Sequence, residues 1–205
     1  MKETIKRIFS ISVSQIIFVI TFLLIVLIDG KIIINRDSDM LWHIKSGDYI
    51  LANKALYGAA NDPFSYLKTM QGWENHEWGS DILFSLIYKW FGFFGMVVLT
   101  ASIVAFIMYI IYRYISKKNI LLSIFIMIPT FIAVDTHILP RPHLFSFLFI
   151  VVWYIFIDEY YKNNKKLIYL LPIFTIICVN LHGGILYAFV IFGLFLIGIL
   201  VEVII

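Results

Sequence analysis

Two polar stretches of this chain hold most of its acid–base and metal-ligand side chains. The first contains Asp37, Asp39 and His43, and the second contains His76 and Glu77. In an extended segment, side chains two positions apart point the same way. Asp37 and Asp39 could therefore share a divalent cation, or one of them could act as a general base. Such a concentration of carboxylates and imidazoles in an otherwise apolar chain predicts a functional site.

The first stretch also fits the start of a helix. Asp37 or Ser38 would then be the N-cap, with acids near the positive helix end. Asp39 and His43 would lie four residues apart on one face, with Trp42 beside them. Trp42 either packs against a sugar ring or anchors the chain at the membrane interface. The sequence leaves these alternatives open.

The second stretch reads Trp73-Glu74-Asn75-His76-Glu77-Trp78. It lacks the second histidine of a His-Glu-x-x-His zinc motif. His76 and Glu77 are candidate substrate-binding residues, while anchoring by the flanking indoles is the structural alternative. Between the two stretches, Asp62-Pro63 favours a turn or a helix start, and we assign that motif a structural role.

Two later turns carry further candidate binding residues. Pro140-Arg141-Pro142-His143 presents a guanidinium, which binds phosphate oxygens in pairs. A substrate phosphate and a lipid headgroup fit it equally well. Asn180 and His182 lie in a turn whose following glycines allow close approach to a ligand. Both residues are equally suited to a buried hydrogen-bond network.

The composition is that of a membrane protein. The 205 residues are 61% hydrophobic and only 14% charged, with a mean hydropathy of +0.93. A soluble domain could not bury that much apolar surface. The net charge of +3 gives no indication of nucleic-acid binding. Cys178 is the only cysteine, so no internal disulfide can form.

Hydropathy predicts an all-α, polytopic membrane helix bundle of about six transmembrane segments. We expect residues 1–205 to form a single integral membrane domain, with a long outer loop at 29–81 that contains short interfacial helices. The second apolar run should begin as an interfacial helix and turn into the membrane near Gly92 and Gly95. One or two short runs could instead be re-entrant. The apolar runs are Ile8–Ile28, Ile82–Tyr112, Ile120–Val134, Leu144–Ile157, Leu167–Val179 and Ile185–Val201.

The distribution of basic residues predicts the orientation. Three basic clusters fall on one side if all six runs cross, and the positive-inside rule makes that side cytoplasmic. We therefore expect a multi-pass cell-membrane protein with a cytoplasmic N-terminus and an extracytoplasmic main loop. All five histidines then share the outer face, which predicts one site there. The clusters are Lys2, Lys6 and Arg7, then Arg113, Lys117 and Lys118, then Lys162, Lys165 and Lys166.

The ordered set of motifs resembles bacterial multispanning membrane proteins related to the C-type glycosyltransferases, which use polyprenyl-phosphate sugars. The matching pieces are Asp37-x-Asp39-x-x-Trp42-His43, Asp62-Pro63-Phe64-Ser65, His76-Glu77-Trp78, Arg141-Pro142-His143 and Asn180-Leu181-His182-Gly183.

This resemblance implies sugar transfer from a polyprenyl-phosphate donor at the outer face of the cytoplasmic membrane. By this resemblance Asp37 or Asp39 would be the general base, and Arg141 would bind the leaving phosphate. A divalent metal ion takes part in some members of the family. Family members usually have about twice as many membrane segments. By this resemblance the chain looks like the N-terminal half of a longer protein, a shortened gene product, or a subunit that depends on a partner subunit for the missing spans. Membrane lipid is expected as a partner in each case.

Two other functions remain open. The chain could be a non-catalytic protein that binds a lipid-linked glycan during assembly or export of surface polysaccharide. It could also bind or transport a metal, although the apolar runs contain almost no charged residues that would form a pathway.

Overall fold

The computed structural model describes residues 12–56, 58–59, 62–65, 72–117 and 119–204. This part of the chain is helical apart from one two-residue antiparallel pair, so the predicted all-α class is confirmed. The basic residues Lys2, Lys6, Arg7 and Lys118 lie outside the described residues.

The helices and strands are numbered in chain order. They are α1 Val13–Leu24, α2 Gly30–Arg36, α3 Asp39–Asn53, β1 Gly58–Ala59, β2 Trp73–Glu74, α4 Trp78–Ile115, α5 Ile120–Asp135, α6 His143–Asn163, α7 Leu171–Leu181 and α8 Leu186–Ile204. A π-helical turn, Ile25–Asp29, joins α1 to α2. Short 3-10 turns, Lys166–Leu170 and Gly183–Ile185, precede α7 and α8.

Four helical segments are long and apolar enough to cross a membrane. They are Val13–Asn35, Trp78–Ile115, His143–Asn163 and Gly183–Ile204. Two shorter apolar helices, Ile120–Asp135 and Lys166–Leu181, match the short runs noted in the sequence. The chain is therefore a membrane protein by the length and composition of its helices, while the number of six spans stays a prediction.

The first helical segment is longer than its apolar run suggested. The run was expected to end at Ile28, but the helix continues through the π-helical turn to Arg36. Ile25 and Ile33, on either side of residue 28, are both buried in the core. The non-helical loop therefore begins at Asp37 rather than at residue 29.

α4 is the central helix and contacts α1, α3, α5, α6 and α7. It is broken at Gly92, where φ is 61° and ψ is −154°. Only glycine adopts this conformation readily, so the break predicted near Gly92 and Gly95 is confirmed. The part before the break carries site residues, while Met96 and Val104 beyond it are fully buried in the core.

Buried acids join α4 to α6 at one end of the bundle. Glu159 pairs with Lys117 at 2.6 Å and with Lys165 at 2.7 Å. Asp158 pairs with Lys162 at 2.6 Å and accepts a hydrogen bond from Tyr114. Three lysines that the charge rule assigns to one side of the membrane thus lie together.

Candidate functional site

A cavity of about 740 Å³ lies at the opposite end of α4 and α6 from this acidic pair. Its walls come from α3, β2, the start of α4, the turn after α7 and the start of α8. The lining residues are Trp42, His43, Ser46, Trp73, Glu74, Asn75, His76, Glu77, Asp81, His182, Gly183, Gly184, Leu186, Tyr187 and Val190.

The carboxylate of Asp81 is a buried polar group in the lining of the cavity. Its Oδ1 lies 2.7 Å from Nδ1 of His43. Its Oδ2 accepts hydrogen bonds from Oγ of Ser46 and, at 2.8 Å, from Nδ2 of Asn75. A carboxylate accepts hydrogen bonds and does not donate them, so Nδ1 of His43 carries the proton in this pair and Nε2 keeps its lone pair.

The close packing of α3 against α4 brings this group together. His43, Ser46 and Gly47 lie three and four residues apart and so share one face of α3. A Cβ atom on Gly47 would lie 2.0 Å from the backbone oxygen of Asp81. Only glycine allows this approach, and the approach places Asp81 within hydrogen-bond reach of His43 and Ser46.

A second acid–base pair joins Glu77 to His182. Oε1 of Glu77 lies 3.3 Å from Nε2 of His182. The amide N–H of Gly184 donates to Nδ1 of His182 at 3.0 Å, and Oγ of Ser146 lies 2.7 Å from the same nitrogen. A backbone amide can only donate, so this Nδ1 bears no proton. Neutral His182 therefore carries its proton on Nε2 and directs it at Glu77.

The surroundings bring the pKa values of Glu77 and His182 closer together. Burial raises the pKa of Glu77, and the negative charge of Asp81 adds to the rise, while His43 and His76 oppose it. Burial also lowers the pKa of His182, and the positive charges of two neighbouring histidines add to that fall. An acid with a raised pKa beside a base with a lowered pKa is typical of groups that exchange protons near neutral pH.

One wall of the cavity is apolar and faces away from the bundle. Leu186, Tyr187 and Val190 line it from α8, and they are 69%, 68% and 59% exposed. α8 belongs to a segment long and apolar enough to span a membrane. The cavity therefore combines acid–base groups with a wall that would contact lipid.

Asp37, Asp39 and Arg141 form a separate cluster and do not line this cavity. Nε and Nη2 of Arg141 bind the two oxygens of Asp37 at 2.8 and 2.6 Å. Nη1 lies 2.8 Å from Oδ2 of Asp39. The hydrogen bond to Asp37 raises the pKa of Arg141, which keeps the guanidinium charged. We expected Asp37 and Asp39 to share one outward-facing cavity with the histidines, with Arg141 at its edge. The two carboxylates lie outside the lining of this cavity, because the guanidinium fork of Arg141 joins them.

This cluster does not suit the metal expected at Asp37 and Asp39. A permanent cation already occupies the position that a divalent ion would take, and it would repel one. Among the described residues, no group of three or more histidine, cysteine or acidic side chains is arranged to hold a metal. The residues present therefore do not fit a metal at this position.

His143 and Asn180 also lie outside the cavity lining. Nε2 of His143 is 3.0 Å from the backbone oxygen of His137. Oδ1 of Asn180 accepts a hydrogen bond from Nε1 of Trp78 at 2.9 Å, and its Nδ2 donates to the backbone of its own helix. The Trp78 bond joins the start of α4 to the end of α7, so Asn180 supports the wall that holds His182.

The structure brings five predicted residues to the cavity and adds residues that the sequence did not single out. The five are Trp42, His43, His76, Glu77 and His182. Among the additions, Asp81, Ser46 and Asn75 form one hydrogen-bonded group, and Ser146 contacts His182 from outside the lining. A usable signal was present, because Glu77 and Asp81 are four residues apart at the start of one helix.

Comparison with known proteins finds no match for the chain. No family model matches it, and neither does any curated protein or solved structure.

Proposed function

We propose that this chain is a glycosyltransferase-like membrane protein that moves a sugar from a polyprenyl-phosphate donor to an acceptor hydroxyl at the outer face of the cytoplasmic membrane. One observation carries the proposal. The buried His43–Asp81 pair shares a cavity with the exposed apolar wall of α8. A donor with a polar head and a long apolar tail needs such an arrangement, because its tail remains in the bilayer while its head reacts.

His43 is the general base in this mechanism. Its Nε2 takes the proton of the acceptor hydroxyl, and the freed oxygen attacks the anomeric carbon of the donor sugar. The bond between that carbon and the phosphate oxygen breaks, and polyprenyl phosphate leaves. Asp81 holds the Nδ1 proton and stabilises the imidazolium that forms. Glu77, whose Oε2 lies 3.9 Å from Nδ1 of His43, adds a second negative charge nearby.

The assignment of the base differs from the one that the resemblance implied. Asp37 and Asp39 were the expected bases, but Arg141 engages both carboxylates. Neither carboxylate lines the cavity, whereas His43 does. We therefore assign the role of base to Nε2 of His43.

A binding-only function is the second candidate, and one feature of the cavity favours it. Among the residues that the structure describes, every basic side chain that lines the cavity is a histidine. A leaving phosphate is normally stabilised by a permanent cation, and Arg141 is held in the separate cluster. In this case the chain would bind a lipid-linked glycan during assembly or export of surface polysaccharide, without cleaving it.

Cleavage of a lipid-linked donor separates the two functions. The chain would be reconstituted in liposomes with short-chain polyprenyl-phosphate hexoses that carry a labelled sugar, and release of polyprenyl phosphate would be followed. We expect release from lipid-linked but not nucleotide-linked sugars, and a loss of about 10²–10⁴-fold in rate for His43→Gln. His137→Gln is the matched control, because His137 is exposed and does not line the cavity. Donor binding without release supports the binding function, and absence of both contradicts the proposal.

A further inference from the structure

Four aromatic side chains that are distant in sequence meet beside the cavity. Phe64 is at their centre, with ring centroids 4.5 Å from Trp42, 5.3 Å from Trp73 and 5.8 Å from Tyr49. Tyr49 and Trp73 are 5.6 Å apart. All four contacts are edge-to-face, the geometry that aromatic rings prefer.

The local sequence explains why Phe64 occupies this central position. The amide of Phe64 donates to Oδ1 of Asp62 at 2.9 Å, which closes a tight turn around Pro63. The Asp62-Pro63 motif, which the sequence analysis assigned a structural role, therefore positions Phe64. Trp73 is held from the other side, because it lies in β2 and pairs with Ala59. Both indoles are thus fixed before any ligand arrives.

Trp42 and Trp73 line the same cavity as His43. Trp42 directly precedes His43 on α3, yet it is 42% exposed while His43 is buried. Anchoring at a membrane interface would account for the exposure of Trp42. It would not account for two indoles, ordered by a shared phenylalanine, beside a buried histidine–aspartate pair. Flat aromatic surfaces next to a reacting site are suited to stacking on the apolar face of a sugar ring.

The two walls of the cavity are therefore suited to different parts of the reaction. α8 supplies the wall that suits the polyprenyl chain, and α3 with β2 supplies the aromatic wall. We propose that Trp42 and Trp73 stack on a sugar ring of the acceptor, so that the acceptor is itself a glycan rather than a peptide or a simple lipid. That the bound glycan is an acceptor rests on the proposed function. Binding of the glycan to Trp42 and Trp73 can itself be measured without donor.

Binding of oligosaccharides to the intact chain tests the inference. Tri- to pentasaccharides of gluco, manno and galacto configuration would be titrated into the chain in nanodiscs, without donor, and tryptophan fluorescence would be followed. We expect at least one series to bind. Trp42→Ala should weaken that binding about tenfold, equivalent to about 1.4 kcal/mol, and Trp42→Phe should restore part of it. Trp90→Ala is the matched control, because Trp90 is 69% exposed and lies beside the break in α4.

The possible outcomes separate this inference from the proposed function. Oligosaccharide binding that depends on Trp42 supports the inference even if no donor is cleaved. Cleavage of donor without oligosaccharide binding, or with transfer to peptides alone, overturns the inference and leaves the proposed function intact. The inference is also overturned if Trp90→Ala loses as much oligosaccharide affinity as Trp42→Ala. The same holds if both Trp42 variants bind oligosaccharide as tightly as the wild type.

Discussion

The partner of each buried carboxylate decides what that carboxylate can do. Asp37 and Asp81 are both almost fully buried. Asp37 faces a guanidinium, which stays charged at every physiological pH. Asp81 faces the imidazole of His43, which has one nitrogen that can donate a proton and one that can accept a proton. The first pair therefore holds the fold together, and the second can take part in proton transfer.

His182 should make stability fall in mild acid. Because burial lowers its pKa, the folded state favours its neutral form. Its contribution is present above the ordinary value of 6.5 and is lost as the pH falls through the lowered folded pKa. His182→Asn keeps an oxygen that can accept from Gly184 and Ser146, but it cannot take up a proton.

We therefore expect the unfolding temperature of the wild type to drop more than that of His182→Asn between about pH 7.5 and about pH 5. Thermal unfolding in detergent micelles measures this difference. His137→Asn, at an exposed histidine, should keep the wild-type response. An equal drop in unfolding temperature for the wild type and His182→Asn would contradict the lowered pKa of His182.

At this scale the sequence identified residue types but not their pairs. His43 and Glu77 stood out because imidazoles and acids are conspicuous in an apolar chain. Asp81 did not, because it lies in the first turn of an apolar helix and its partner is 38 residues away. Arg141 and Asp37 are 104 residues apart, so a motif analysis had no means of pairing them.

The contact between α3 and α4 is the element-scale feature that builds the site. α3 supplies His43 and Ser46, and α4 supplies Asp81. The two helices meet at Gly47, where no side chain would fit. Hydropathy predicted the long helices because lipid-facing and core residues are both apolar. Hydropathy did not predict α3, whose buried face is polar at the cavity, but the helix-start pattern at Asp37 and Ser38 did, and Ser38 is the N-cap of α3.

Gly47→Ala should push the two helices apart. The added methyl group would overlap the backbone of Asp81, and such overpacking typically costs about 1–3 kcal/mol. Thermal unfolding in detergent would report the loss. Gly193→Ala is the control, because nothing lies within 4 Å of its Cβ position on α8. Equal unfolding temperatures for Gly47→Ala and Gly193→Ala would show that α3 and α4 are not in close contact at Gly47.

The whole molecule has two chemically distinct ends. The cavity lies at one end of α4 and α6, and the buried acids with their lysines lie at the other. The positive-inside rule predicts that the lysine end faces the cytoplasm. In that orientation the cavity would open on the outer side, where the proposed donor and acceptor would meet.

Cysteine labelling in intact cells tests this orientation. Ala52→Cys lies on the exposed part of α3, and Lys166→Cys lies at the exposed start of the turn before α7. We expect an impermeant thiol reagent to label Ala52→Cys and to leave Lys166→Cys unmodified. Cys178 gives little background, because it is the only native cysteine and is fully buried. The reverse labelling pattern would overturn the orientation.

Donor cleavage by Asp81→Asn in liposomes tests most directly whether the His43–Asp81 pair takes the proton of the acceptor. Asparagine keeps the volume of Asp81 but presents an amide, which no longer fixes the Nδ1 proton of His43 or stabilises an imidazolium. Release of polyprenyl phosphate should slow by about 10²–10⁴-fold while donor binding persists. Asp135→Asn, at an exposed carboxylate outside the cavity, should match the wild type. A folded Asp81→Asn variant that cleaves the donor at the wild-type rate would contradict the account.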